Sequence, residues 1–592
     1  MSLVVGETSV ARVDERWSAT GYWLICIFIV GLLIGFDLSG ERIHNADIDD
    51  SLRGLQVKAF LEDGGWLRPA IPRILMPEPY ISPWSRIVDL PYMLIAFSLQ
   101  SALGAEDALA VAFQVWPAVM AVFFTIGVVG VLSRIAPREG ELSPGMLCAV
   151  LVLMAFAIWE FSPGRIDHHN LQMVLLLTLI YGVGRFDRIG GAVVAISATI
   201  SLLVGLETLP VIALVLGALA LAWAAGLDGT RTMLASTAIT CLVAVPILTF
   251  LVIGPSGFWR VENDAFSAPF AFALLGFGAI ATVTLWLVPE ASSAAFKFGL
   301  LATAGSMLSA VLLFAYPQLL AGPYAAIDDL ARIYWFDRID QEKSALEFFR
   351  TGDYGSLALL GIFSCVLAVS LQRALNAPRT ANPQFAIIHA VAVALLLTAL
   401  VSNRYLRFSA AVVPLLLPAA ASVIREDSQV AVRRLAAFGG MAVVMATSFY
   451  FVVPFERKTT DAFDHLLWND CKGADFSLLA TLPPGQVMTP PALGLEIARR
   501  SQDSLTVSSV PFHRAAPAIG RVLRAFMSSS NNERNALLAG FDYLAVCRAP
   551  LGLVGSEKMP LFDAIMTGSA GPGLHPVSSV KQSDLIVLRI EK

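Results

Sequence analysis

About thirteen apolar runs leave this chain few ways to fold. They lie near 21–38, 109–133, 144–161, 170–184, 190–206, 209–226, 233–253, 269–288, 298–320, 355–372, 384–402, 405–424 and 435–455. A bilayer core is crossed by roughly 20 apolar residues in a helix, and hydrocarbon tolerates no unpaired backbone. Composition agrees: 56% of the 592 residues are hydrophobic, only 15% are charged, and the mean hydropathy is +0.69. An integral membrane protein is therefore expected. A net charge of −5 and the lack of a basic run leave no nucleic-acid partner to expect. The first run follows a mixed-charge segment and carries no small-residue cleavage pattern, so it reads as an uncleaved helix rather than a signal peptide.

Basic residues of the short loops set the topology. Arg12 and Arg16, Arg134 and Arg138, Arg185 and Arg188, Arg231, Lys297, Arg373 and Arg379, and Arg425, Arg433 and Arg434 fall on alternate loops. They mark the cytoplasmic side. The opposite, periplasmic side receives the long loops 39–105 and 321–353, the 254–267 loop and the C-terminus, which requires an odd number of helices. The 39–105 loop is interrupted by Pro69, Pro72, Pro77, Pro79, Pro83 and Pro91, with a short amphipathic helix at 50–63 and an apolar one at 88–103.

Residues 1–455 thus form a transmembrane domain, and 456–592 a small α/β domain outside the membrane. In the latter, 486–488, 505–507, 543–546 and 585–588 read as strands, with helices at 493–500 and 519–527. Cys26, Cys148, Cys241 and Cys365 lie in apolar runs, whereas Cys471 and Cys547 are the two in the polar region. A disulfide in an oxidising compartment is one reading of that pair, and two buried thiols the other.

Four polar stretches on the outer side could carry chemistry. Ser162-Pro163-Gly164-Arg165-Ile166-Asp167-His168-His169-Asn170 joins two apolar runs. Asp-x-His places a carboxylate and an imidazole within reach of one divalent cation, and Arg165 could face an anion; a wet interhelical loop is the plain alternative. Asp47, Asp49 and Asp50 precede a helix, where first-turn acids are favoured in any case. The 321–353 loop holds Asp328, Asp329, Asp337, Asp340 and Glu342 among basic and aromatic residues, and reads largely as an amphipathic interfacial helix with a solvated charged face. Arg404 and Arg407, in a tight outer turn, suit a lipid phosphate or plain headgroup contact. Acids, a histidine and arginines together fit a divalent ion bound to phosphate oxygens, with a carboxylate left to activate a nucleophile.

These stretches resemble the GT-C class of polyprenyl-linked glycosyltransferases, most of all the catalytic subunit of oligosaccharyltransferase. In that family an acid after the first helix precedes a Leu-Glu-x-Gly-like stretch, as Asp49 precedes Phe60-Leu61-Glu62-Asp63-Gly64. Its second acidic motif, Asp-His-His in archaeal members, matches Asp167-His168-His169. Ile339-Asp340-Gln341-Glu342 is a loose match to a Ser-x-x-Glu-like motif, and Arg407-Phe408-Ser409 to an Arg-Phe-(Ser/Thr) stretch. The resemblance implies a divalent metal, Mn2+ or Mg2+, held by Asp49, Asp167, His169 and Glu342, with Asp49, Asp167 and Glu342 as catalytic acids. It implies donor phosphate at Arg407, with Arg404 and Arg165 as further candidates. The family's Trp-Trp-Asp-x-Gly acceptor motif is not found; Thr489-Pro490-Pro491-Ala492-Leu493-Gly494 stands in its place, and Trp468-Asn469-Asp470 comes too soon. Asp50, His513 and Arg514 are candidate acceptor contacts, a polar loop end being the alternative for the last two.

The expected function is sugar transfer from a polyprenyl-phosphate or pyrophosphate donor on the outer face of the cytoplasmic membrane, with the donor's lipid tail between helices and membrane lipids as further partners. A lipid-linked glycan flippase or other transporter is the competing class. It should place ionisable residues near the midplane of its helices, where these runs have almost none. A non-catalytic glycan-assembly protein is the third reading.

Overall fold

A computed structural model of the chain describes residues 19–39, 48–426 and 461–591, apart from gaps at 68, 136–141, 353, 378–381, 502–503, 556–557, 570–572 and 578–583, and a few positions between 427 and 436. The expected 435–455 run falls outside the described residues. The chain forms two compact units, each discontinuous in sequence: 1–46, 84–320 and 343–456 in one, 47–83, 321–342 and 457–592 in the other.

The first unit is helical. Among the described residues eight helices are long and apolar enough to cross a membrane, or nine if one bent pair is a single span, so the chain is a multi-pass membrane protein. The other expected runs appear as the helices Ala19–Ser39, His169–Arg185 and Arg188–Val204, whose apolar stretches are shorter. The bent pair, Pro144–Leu153 and Ala155–Phe161, turns by 66°. Its second arm ends because Ser162 precedes Pro163, which excludes helical backbone there, and Ser162 is extended. Gly164 follows at φ 89°, where a side chain would be strained, and its N–H donates to the Phe113 carbonyl at 3.0 Å.

Two further helix breaks bear on the site. Arg188–Val204 stops at the extended residue Gly205, and a single 3-10 turn, Leu206–Thr208, leads into Leu209–Ala224 with Pro210 in its first turn. Pro383–Val401 stops at extended Ser402, and the 3-10 turn Asn403–Tyr405 leads into Leu406–Val412. That last helix is buried on every side, packing against Ala155–Ile158, His169–Arg185 and Pro383–Val401.

The second unit is built on a seven-stranded mixed sheet. Its strands are β1 (Ala70–Leu75), β2 (Pro79–Ile81), β3 (Gly485–Met488), β4 (Leu505–Val507), β5 (Tyr543–Cys547), β6 (Leu574–Pro576) and β7 (Leu585–Ile590), in the order β2-β1-β4-β3-β5-β7-β6. The four strands β1, β4, β3 and β5 run parallel, and the flanking pairs are antiparallel. Helices Pro491–Arg500 and Ala516–Met527 supply parallel crossovers, as this topology requires. All five residues of β5 are buried, as a central strand covered on both faces must be.

The expected strands and helices of 456–592 are present, with β6 and the helices Ala462–Trp468, Asn531–Leu538 and Pro560–Thr567 in addition. The expected helix at 50–63 is Ile48–Asp63, and that at 88–103 is Arg86–Leu103. The loop residues 321–342 do not form one amphipathic helix. They make a six-residue helix, Asp329–Tyr334, and short 3-10 turns, with Ile327, Ala331 and Trp335 set four apart and buried with Phe463, Met488, Phe526 and Phe562. Emptying this core by Phe526→Ala would cost about 3–5 kcal/mol. Cys471 and Cys547 are joined by a disulfide, their Cα atoms 5.4 Å apart.

Candidate active site

Three helix breaks and one loop of the first unit place their polar side chains together. The 3-10 turn Trp159–Phe161, which ends the second arm of the bent pair, carries Glu160, the loop carries Arg165, Asp167 and His168, and the start of the next helix carries His169 and Gln172. The turn after Gly205 carries Glu207, and Arg407 comes from the first turn of Leu406–Val412. A helix end leaves backbone groups unpaired and lets the chain turn, so polar residues concentrate there.

This is no wet loop. Asp167, His168 and His169 are only 1%, 2% and 3% exposed. Asp167 is the hub. Its Oδ1 accepts from the His168 backbone N–H at 2.6 Å and faces His168 Nδ1 at 2.5 Å, while its Oδ2 lies 3.3 Å from His169 Nε2 and 4.0 Å from Arg407. The far nitrogen of His168 lies 3.3 Å from Glu207 Oε1, and Gln172 Nε2 donates to Glu207 Oε2 at 2.8 Å. Gln172 Oε1 lies 3.0 Å from His169 Nδ1. Beside this set, Glu160 bridges two guanidiniums, taking Arg165 at 2.6 Å and Arg407 at 3.0 Å.

Burial works against charge on Asp167, but His168 and Arg407 outweigh it and hold the carboxyl well below its usual range. Burial likewise opposes charge on His168, yet Asp167 and Glu207 push its pKa up to about 9. At neutral pH His168 is an imidazolium held between two carboxylates. Packing fixes the rings: Trp84 lies 5.4 Å from His168 and Phe408 stands edge-on to His169 at 5.8 Å.

The donor set fits a metal ion. One ligand atom each from Asp167, His168 and His169 lies within 4.8 Å of the others. The 3.3 Å between Asp167 Oδ2 and His169 Nε2 is the spacing of two ligands each about 2.1 Å from one ion. His168, whose two nitrogens face carboxylates, is the least available of the three.

Of the residues expected from sequence, Asp167, His169, Arg165 and Arg407 come together here, and Arg404 lies half-buried in the Asn403–Tyr405 turn. Asp49 and Asp50 lie in the first turn of Ile48–Asp63 in the second unit, Asp49 half-buried and Asp50 buried. In that same unit Tyr324 joins two other candidates: its hydroxyl donates to Glu342 at 3.3 Å, and its ring meets His513 edge-on at 5.6 Å. Arg514 donates to the Ile81 carbonyl at 3.1 Å, holding β2. Sequence reasoning missed Glu160, Gln172, His168 and Glu207 as parts of the site. The two glutamates end apolar runs, and an acid at such a place was the signal that could have found them.

No protein-family model matches the chain. No curated protein is similar to it in sequence. Solved structures do match. The archaeal oligosaccharyltransferase AglB from Archaeoglobus fulgidus, in complex with an inhibitory peptide and a dolichol-phosphate, superposes at a TM-score of 0.62 with 11% identity, over 90% of this chain and 69% of that one. The Archaeoglobus fulgidus oligosaccharyltransferase in the apo form gives 0.57 and 13%, over 90% and 70%. Its complex with Zn and sulfate gives 0.55 and 13%, over 88% and 67%. At such identities the likeness is one of architecture, and the chain has the fold of an archaeal oligosaccharyltransferase.

Proposed function

We propose that the chain is a GT-C-type membrane glycosyltransferase, moving a sugar or oligosaccharide from a polyprenyl-phosphate or pyrophosphate donor to an acceptor on the outer face of the cytoplasmic membrane. One observation carries the reading. Asp167 and His169, spaced to share an ion, lie beside the buried Arg407 in a chain folded like an enzyme solved with dolichol-phosphate.

In this reading Asp167 and His169 hold Mn2+ or Mg2+, which would neutralise charge building on the leaving phosphate. Arg407 takes a donor phosphate oxygen, because a buried guanidinium binds phosphate strongly. Arg165 shares Glu160 with Arg407 and steadies it, and Arg404 is a further phosphate contact. Motif resemblance alone supports the other roles. Asp49 orients or deprotonates the acceptor nucleophile, Glu342 is a further ligand, and Asp50, His513 and Arg514 touch the acceptor. We also propose that 1–455 is the transmembrane part, with 456–592 periplasmic.

A deletion strain complemented at matched protein level tests the reading. Wild type should restore the glycan and Asp167→Asn should not, with lipid-linked donor accumulating. Full complementation by Asp167→Asn and Asp49→Ala would favour a flippase or assembly protein instead.

A further inference from the structure

Asp167 and four other side chains lie in a ring: Asp167 faces His168, His168 faces Glu207, Glu207 takes Gln172, Gln172 faces His169, and His169 Nε2 stands 3.3 Å from Asp167 Oδ2. The ring has a direction. An ionised carboxylate only accepts, so the Gln172 group 2.8 Å from Glu207 is its NH2. The Gln172 carbonyl must then face His169 Nδ1, and a carbonyl only accepts. His169 Nδ1 therefore carries the proton, and Nε2, on the Asp167 side, presents its lone pair.

We infer that Glu207 and Gln172 are positioning residues for the metal centre: through the fixed amide of Gln172 they select the His169 tautomer whose Nε2 binds the ion. The inference rests on the metal-dependent reading above. The ring also selects the ligand atom of Asp167. His168 occupies Oδ1 through both its backbone N–H and its ring, which turns Oδ2 toward His169 Nε2. Ligating histidines are commonly fixed by a partner on the other ring nitrogen, whose loss costs about 10- to 100-fold in metal affinity. Here that partner is an amide, and an amide can turn over. Glu207 prevents it.

Glu207→Gln is the sharpest probe, since it keeps the shape and removes only the enforced direction. With His168 Nε2–H still donating, the amide placed at 207 offers its carbonyl to His168 and its NH2 to Gln172. Gln172 then turns over, its NH2 meets His169 Nδ1, and the proton moves to Nε2. Gln172→Glu combined with Glu207→Gln reverses the 172–207 bond but again gives His169 Nδ1 and His168 Nε2 an acceptor each.

Mn2+ binding to the detergent-solubilised full chain should fall about 10- to 100-fold in Glu207→Gln and recover in the double variant. Ring-15N spectra of metal-free protein, with His169 assigned by comparison with His169→Ala, should show Nε2 unprotonated in the wild type and protonated in Glu207→Gln. Wild-type Mn2+ affinity in Glu207→Gln, an unmoved His169 proton, or no recovery in the double variant would each overturn the inference. Asp167→Asn, which keeps the shape of the buried side chain, separates this from the parent reading. If it abolishes Mn2+ binding while Glu207→Gln does not weaken it, the metal centre stands and the positioning role falls. If it binds Mn2+ like the wild type, both fall.

Discussion

The Glu160 carboxylate lies 3.0 Å from the Arg407 guanidinium, and both side chains are more than nine-tenths buried. Arg407 is thus held in place by an internal anion. Its Nε atom makes no hydrogen bond among the described residues. Glu160→Ala leaves the buried guanidinium with Asp167 alone, at 4.0 Å, and should cost about 3–5 kcal/mol in detergent unfolding experiments. Removing Arg407 as well should return part of that loss, which a double-mutant cycle measures.

Arg407→Ala alone should raise KM for the lipid-linked donor more than it lowers kcat. A guanidinium bound equally to phosphate in ground and transition states contributes uniform binding. An unchanged KM with a collapsed kcat would place Arg407 in the chemical step instead.

Asp167→Asn should reduce transfer about a hundredfold or more, on the order of 3–4 kcal/mol of barrier. The amide is the substitution to use. Because Asp167 is buried and bonded to both histidines, Asp167→Ala would also disturb folding.

Gly205 has extended backbone that any residue can adopt, so Gly205→Ala acts through space alone. Its methyl would collide with Glu207 Oε2 and come within 2.8 Å of Gln172 Nε2. Weaker Mn2+ binding with little change in unfolding temperature is the expected outcome, read by titration of the purified chain.

How much of this could be read from residues alone depends on range. Short periodic patterns were legible: β3, β4, β5 and β7 lie within two residues of their expected bounds, and the twelve described helical runs match the hydropathy. The hairpin β1–β2 was not, because Pro72, Pro77 and Pro79 mark a loop by local rules. The structure accommodates them with an irregular register between Ile71 and Leu75. Asp167 and His169 announced themselves by being adjacent. Their supports did not: Glu207 is 35 residues from Gln172 and 39 from His168, and only packing brings them together.

His465 gives the second unit a pH dependence. Burial lowers its pKa below the usual value of about 6.5. The neutral ring is satisfied on both sides, Nε2–H donating to Arg548 O at 3.0 Å and Nδ1 accepting from Asn469 at 3.3 Å. The unfolded chain binds the proton more readily, so stability should be flat above about pH 6.5 and fall as pH drops toward the folded pKa. His465→Gln should flatten that slope in unfolding curves taken between the two limits.

Reducing the Cys471–Cys547 bond, which spans a separation of 76 residues, should destabilise the same unit by roughly 4–5 kcal/mol in the chain-entropy view. Non-reducing peptide mapping checks that the bond is present in the purified protein.

The sheet has a history built into its order. Ile74 of β1 pairs with Val507 of β4, which the ribosome makes 433 residues later. At about 5–20 residues per second, β1 waits on the order of 20–90 seconds for that neighbour. Through that interval the hairpin stands with an open edge, already across the bilayer if the topology is as proposed, while the remaining spans are still being inserted. A chain released early, anywhere short of β4, leaves that edge to whatever else can pair with it.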